Sequence, residues 1–243
     1  YEQLAKAIRE PGPHPDRGGA LKTGTDLFSA DTRCPLCGSP DIAGYTRDRF
    51  RKYLVCSTCA LVFVPEKYHV CREDEKKRYD LHNNHPDDPG YRKFLSRLFH
   101  PLCERIPCGA EGLDFGCGPG PALAVMFRES GYFIELYDKF YAPDNSVLEK
   151  TYDFIAAAEV AEHLEKPGRE LARLMEMPRP GGILGIMTKL VIDREAFDRW
   201  HYKNDLTHVC FFSGQTFQWL AGTWQVKVEF MGNDVILLYK DPP

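Results

Sequence analysis

Three groups of residues in this chain have the types and spacing for chemistry. The first is two cysteine pairs, Cys34-Pro35-Leu36-Cys37 and Cys56-Ser57-Thr58-Cys59, with eighteen residues between them. Two C-x-x-C turns so spaced can close four thiolates round one tetrahedral zinc ion. With all four positions filled by protein, such a zinc is structural rather than catalytic. A four-cysteine iron–sulfur cluster is the alternative, and disulfides are disfavoured by the odd total of nine cysteines. The second group is Asp114-Phe115-Gly116-Cys117-Gly118-Pro119-Gly120. Glycines where a strand turns into a helix let the backbone approach a ligand closely. Asp138, about 20 residues beyond the turn, is placed to accept hydrogen bonds from a ribose. The third group is Glu159-Val160-Ala161-Glu162-His163, with His208 further on. Glu159 and His163 are four apart, so a helical turn would bring carboxylates and an imidazole together.

The elements that must position these residues follow from periodicity. Gly112–Phe115 is an apolar run leading into the glycines, and Pro121–Gly131 has helical spacing ending on a glycine suited to a C-cap. Tyr132–Tyr137 reads as a short strand ending at Asp138, and Tyr152–Ala158 as a third strand running into Glu159. A helix over roughly Gly168–Met177, a Pro180-Gly181-Gly182 turn and a strand over Ile183–Thr188 come next. Gln225–Met231 and Val235–Tyr239 close the chain as a hairpin. Alternating strands and helices of this kind predict a mainly parallel α/β sheet.

The chain divides into an arm or tail at 1–30, with a helix over Tyr1–Glu10 before a Pro- and Gly-rich break. A zinc ribbon at 31–65 follows, then a helical connection at 66–107 and the α/β domain at 108–243. The ribbon is too small to fold without its metal. In the connection, Tyr91, Phe94, Leu95, Leu98 and Leu102 recur at helical spacing. Cys71, Cys103, Cys108, Cys117 and Cys210 form no second ligand pattern and read as small hydrophobes. No run of about 18 apolar residues and no secretory leader is visible, so no membrane association and a cytoplasmic location are expected. A net charge of −4 gives no general attraction to nucleic acid.

The acid-before-glycines pattern D-x-G-x-G-x-G, followed by Asp138, resembles motif I of the class I S-adenosylmethionine (SAM) methyltransferases. The resemblance runs from about Arg92 to Lys240. It implies a Rossmann-like, mainly parallel seven-stranded sheet with its last strand antiparallel, and SAM as cofactor. In that family's terms Asp114 meets the methionine amino group. Gly116, Gly118 and Gly120 admit the amino-acid moiety, Asp138 holds the ribose hydroxyls, and Glu159 lies beside the cofactor. A helix preceding the domain often covers the cofactor, which places Tyr79, Tyr91 and Arg92 near it. The E-x-x-E-H sequence plus a later histidine resembles the divalent-metal site of small-RNA 2′-O-methyltransferases, and the E-x-x-E-H portion also resembles ubiquinone-pathway O-methyltransferases. The resemblance implies Mg²⁺ or Mn²⁺ on Glu159, Glu162, His163 and His208, acidifying a substrate hydroxyl, with His208, His163 and Glu162 as the catalytic group. Without a metal, the motif histidine packs or caps, and His208 or His201 is the general base.

The methyl acceptor is less legible. Arg47-Asp48-Arg49-Phe50-Arg51-Lys52-Tyr53 interleaves basic and aromatic residues, as RNA-binding surfaces do, while the net charge of −4 argues against RNA. A small-molecule hydroxyl stands slightly ahead of an RNA hydroxyl. Bacterial methyltransferases with a C-P-x-C-G ribbon resemble the chain end to end. The alternative is a noncatalytic protein that binds partners through its ribbon and SAM through its α/β domain.

Overall fold

The computed structural model describes residues 32–81 and 84–241. The expected arm and its helix lie outside them.

The ribbon comprises β1 (Ile42–Arg47), β2 (Lys52–Cys56) and β3 (Val62–Phe63), paired antiparallel in that order. The connection contains α1 (Arg72–Tyr79) and α2 (Pro89–Cys103). Asp88 caps α2 by accepting the Gly90 and Tyr91 amides, and Pro89 opens it where no N–H is needed. The apolar stripe read from the sequence becomes its buried face, Leu95, Leu98, Phe99 and Leu102.

The larger sheet contains β4 (Glu111–Phe115), β5 (Phe133–Tyr137), β6 (Tyr152–Ala158), β7 (Pro178–Met187), β9 (Lys227–Met231) and β10 (Val235–Tyr239). Its order is β5-β4-β6-β7-β10-β9; the first four strands are parallel, and β10 lies antiparallel between β7 and β9. The helices are α3 (Ala122–Glu129), α4 (Pro167–Glu176), α5 (Arg194–Asp198) and α6 (Gly214–Trp224). This is the expected fold class with a corrected strand number: six in place of seven. After β5 the chain turns back on itself through the Asp138–Ala142 bridge and a 3-10 turn over Asn145–Glu149, so among the described residues no further strand joins that edge.

Alternation along the strands sends side chains to two cores. Phe154 and Ala156 face α2 and α3, while Ile155 and Ala157 face the other way. That second core also contains Tyr53, Leu61, Phe63 and Val64 of the ribbon. Strand β8 (Cys210–Phe211) completes the merger by pairing with β3, so the ribbon sheet's fourth strand comes from the far side of the sequence. The first cysteine turn docks on the start of α4. Gly168 donates its amide to the Pro35 carbonyl, and a Cβ there would stand 2.1 Å from the Leu36 carbonyl oxygen.

Candidate active site and metal centres

The glycine turn joins the end of β4 to α3 and is held by the end of β5. The Tyr137 carbonyl accepts the Gly116 amide at 2.7 Å, and Asp138 Oδ2 accepts the Gly118 amide at 3.1 Å. Asp138 Oδ1 takes the Phe140 and Tyr141 amides. Three of the roughly four acceptor positions of that carboxylate are thus used by backbone, and one remains for a ligand.

The three glycines serve different ends. Gly116 has φ +76°, and a Cβ there would strike the Val160 side chain at 2.4 Å. At Gly120 a Cβ would lie 1.8 Å from the Asn84 carbonyl oxygen, because the connection crosses directly over the turn. Gly118 has φ +64° and open space where its side chain would be. It is the position in the turn where a bound molecule can approach the chain.

Asp114, 3 % exposed near the end of β4, is raised to about 7 by burial, against the pull of the Ala124 amide and Arg128. A cationic ligand group beside it would favour its ionised form. Burial raises Cys117 to about 12, aided by Asp114 and Asp138, so its thiol stays protonated and unreactive within the turn.

Residues Glu159 to His163 follow β6, the strand next to β4, and Val160 packs on Gly116. The expected helical turn begins later than Glu159. That residue has φ +53°, and only Ala161–His163 form a 3-10 turn. Glu162, His163 and His208 nevertheless converge, with one potential ligand atom from each lying within 4.8 Å of the others. Glu159 stands outside this trio, and its Oε2 accepts the Tyr202 hydroxyl at 3.4 Å. His201, exposed at the start of a 3-10 turn (His201–Asn204), is not a member either.

The trio has the surroundings of a prepared site. Glu162 is fully buried; Thr188 Oγ1 donates to its Oε2 at 2.9 Å, and the Tyr202 hydroxyl donates to its Oε1. Burial holds the Tyr202 phenol far above its ordinary value, as do Glu162 and Glu159, so it remains a donor. His163 Nδ1 lies 3.2 Å from the Thr207 carbonyl and His208 Nδ1 lies 2.7 Å from the Tyr202 carbonyl. A carbonyl only accepts, so both Nδ1 atoms carry protons, and Nε2 is the ring atom that each histidine would present to an ion. Metal-ligating imidazoles are oriented in this way. Burial, with His208 alongside, lowers His163 to about 4, so its ring is neutral.

Tyr202 and Thr188 carry no motif of their own in the sequence. Their role depends on β7 and the His201–Asn204 turn meeting Glu162 in space. Over the site lies α1, whose Tyr79 ring meets the His163 ring edge-on at 5.2 Å and whose Arg78 pairs with Asp205. The Tyr91 phenol is raised by burial and by the charges of Asp114 and Glu159 nearby. Arg92, by contrast, is directed at Glu129 and the Pro86 carbonyl. A cavity of about 760 Å³ opens at the opposite end of the sheet, among Glu111, Phe133, Lys150 and Arg179. Its charged groups are largely paired with one another, as in Arg179–Glu111 and Lys150–Glu135.

In the ribbon, the Cys34–Cys59 and Cys37–Cys56 sulfurs are each 3.5 Å apart, and all four lie within 4.8 Å of one another. A disulfide is far shorter, at about 2.05 Å. Four sulfurs on a tetrahedral zinc at about 2.3 Å stand roughly 3.8 Å apart, so the donor set fits this ion. The hydrogen bond from Cys59 lowers Cys34 to about 5, and the same bond pushes Cys59 far up. A cation among them would relieve that competition. The basic–aromatic run is divided: Arg51 and Tyr53 are buried, whereas Arg47, Arg49 and Phe50 are exposed, with Arg49 over the Phe50 ring. That leaves only part of the run on the surface for an RNA contact.

A methyltransferase-domain family model matches residues 88–227, more than half of the chain. No curated protein matches. Among solved structures, the 1,6-didemethyltoxoflavin-N1-methyltransferase of Burkholderia thailandensis, bound to its substrate and S-adenosylhomocysteine, is 14 % identical at a TM-score of 0.47. That alignment covers 82 % of this chain and 99 % of that one. A SAM-dependent methyltransferase from Archaeoglobus fulgidus is 17 % identical at a TM-score of 0.47, over 61 % of this chain and 94 % of that one. An O-methyltransferase family protein from B. thailandensis is 17 % identical at a TM-score of 0.46, over 69 % of this chain and only 63 % of its own length.

Proposed function

The chain belongs to the methyltransferase-domain family, a methyltransferase of class I fold, and from that premise we propose that it transfers a methyl group from SAM to an acceptor hydroxyl. When bound, SAM supplies an electrophilic methyl, and the protein's task is to align the nucleophile with it. Gly118 would leave space for the amino-acid end of SAM, Asp114 would counter its ammonium charge, and the remaining acceptor position of Asp138 would take a ribose hydroxyl. Tyr91, raised by the charges of both Asp114 and Glu159, closes the pocket from the side of α2.

The observation that carries the hydroxyl assignment is the convergence of Glu162, His163 and His208 with both Nδ1 atoms fixed on carbonyls. One carboxylate and two imidazoles suit Mn²⁺ or another ion that accepts imidazole better than Mg²⁺, which prefers an all-oxygen set. Such an ion would favour the ionised form of an acceptor hydroxyl. Tyr202 and Thr188 hold the Glu162 carboxylate in place, and α1 with Tyr79 limits water above it. A small-molecule acceptor is favoured over RNA because the net charge is −4 and the basic–aromatic run turns Arg51 and Tyr53 inward, which leaves a short patch. The four thiols hold zinc in a structural role, and the protein works in the cytoplasm.

The test is uptake of Mn²⁺ by the protein in the presence of S-adenosylhomocysteine, followed by electron paramagnetic resonance. One bound ion, lost in Glu162→Gln, supports the reading. No uptake by the native chain, with S-adenosylhomocysteine bound, rejects it.

A further inference from the structure

Arg51 lies just before β2 and is 3 % exposed. Its guanidinium reaches out of the ribbon. Nη2 donates to the carbonyls of Lys203 at 2.6 Å and Asp205 at 2.9 Å, Nη1 to that of Leu206 at 3.1 Å, and Nε to the Tyr53 hydroxyl at 3.0 Å. A planar fork with five N–H donors can hold three carbonyls at fixed angles, which a lysine ammonium on a flexible stem cannot do. The buried charge has the Asp48 carboxylate nearby, behind the Tyr53 hydroxyl. Its direct acceptors outside the ribbon are carbonyls whose loss would be costly, so the segment is locked to the fork.

The segment so held supplies the carbonyls that orient the two imidazoles. Tyr202, whose carbonyl faces His208 Nδ1, precedes the held stretch, and Thr207, whose carbonyl faces His163 Nδ1, follows it. The neighbouring backbone is tied in series. Val64 of the ribbon donates to Val209, and Val209 donates to the Glu162 carbonyl. Cys210 then pairs with Phe63 and directs its sulfur at the Leu164 carbonyl. The sheet carrying the four thiols is therefore continuous, by hydrogen bonds, with the backbone on both sides of the trio.

We propose that Arg51 is a positioning residue of the candidate active site: by clamping 203–206 to the ribbon it sets the Thr207 and Tyr202 carbonyls, and through them the His163 and His208 rings. This rests on the reading of Glu162, His163 and His208 as a cation site. It gives the ribbon a task inside the molecule, as the wall against which the site is built.

The experiment uses the full chain with Arg51→Lys, which keeps the charge and loses the fork. Tyr53→Phe is the milder companion. It removes the hydroxyl beside Nε and keeps the ring against Phe197 and Phe211. Three quantities are read: S-adenosylhomocysteine affinity by calorimetry, Mn²⁺ affinity by electron paramagnetic resonance, and the ¹⁵N shifts of the His163 and His208 rings. The expected result is unchanged S-adenosylhomocysteine affinity with Mn²⁺ binding weakened at least tenfold in Arg51→Lys. Tyr53→Phe should show a smaller loss, with both rings shifted away from the Nδ1-protonated form. Native Mn²⁺ affinity and native ring shifts in both variants overturn the proposal. If Arg51→Lys fails to bind S-adenosylhomocysteine, Tyr53→Phe decides by the same criterion. If the unmodified chain takes up no Mn²⁺, the cation reading fails, and the ring shifts alone then judge Arg51: unchanged shifts overturn it and altered ones support it.

Discussion

The four thiols come from two tight turns of one small sheet and offer a complete, soft, tetrahedral set. Glu162, His163 and His208 come from two loops 45 residues apart and offer a partial set of mixed, harder donors. The first arrangement needs little beyond its own turns, because C-x-x-C geometry is local. The second exists only because Tyr202, Thr188 and the carbonyls of 202 and 207 meet it from elsewhere. Four protein ligands close a metal off; three leave room for an acceptor. The difference separates a group that builds structure from one that can take part in a reaction, and the ribbon joins the two.

The comparison breaks most visibly at the thiols. Structural zinc supplies on the order of 10 kcal/mol of folding energy in small modules. Cys56→Ser should take zinc content from one per chain to near zero by elemental analysis, with amide protection lost across β1 to β3. Because β3 pairs with β8, protection should also fall at Cys210 and Phe211. Zinc-free native protein with full protection would remove the thiol half of the comparison.

Next in size is the glycine turn. Gly118→Ala carries a left-handed backbone cost of about 1–2 kcal/mol and the β-branched valine somewhat more, and valine adds the greater bulk in the open space. S-adenosylhomocysteine affinity should fall at least tenfold further in the valine variant than in the alanine one. Equal affinities in calorimetry would mean that no ligand approaches there.

Glu162→Gln tests the partial set. The cost in stability should be about 1–2 kcal/mol, since a buried acceptor of two hydroxyls is changed but not emptied. Mn²⁺ uptake should vanish while S-adenosylhomocysteine still binds. Retained uptake would place the ion elsewhere.

The last test is a pH slope from Asp114, which leaves both candidate metal sites unaltered. Burial raises this carboxyl to about 7 in the folded chain, against about 3.9 when unfolded. Between those values the unfolded chain is ionised and the folded one protonated. Its contribution to stability is therefore full below about pH 4 and is lost as pH rises to 7. Asp114→Asn stays neutral, so the native melting temperature should drop relative to the variant between pH 5 and pH 8. Parallel profiles would mean that Asp114 is already ionised in the fold.

Much of this was legible because the signals are local. Tyr152–Ala158 and Val235–Tyr239 form as read, since an apolar run bounded by turn residues leaves few alternatives. The thiol set is legible for the same reason. Where spacing was asked to stand for geometry it failed: Glu159 and His163 are four apart, yet the left-handed Glu159 breaks the helical turn that would align them. The seventh strand was a family expectation that 139–151 does not support, being spent on a bridge and a 3-10 turn. Arg51 looked like part of a surface patch because nothing local distinguishes a solvated arginine from one aimed at carbonyls more than 150 positions away.

The most direct measurement is a crystal structure with S-adenosylhomocysteine and Mn²⁺, with anomalous data at the manganese edge. The account predicts the cofactor product over Gly116–Gly120 and one anomalous peak among Glu162, His163 and His208, within about 2.6 Å of each ligand atom. Product density at the turn with no peak among those three residues, under saturating Mn²⁺, would contradict it.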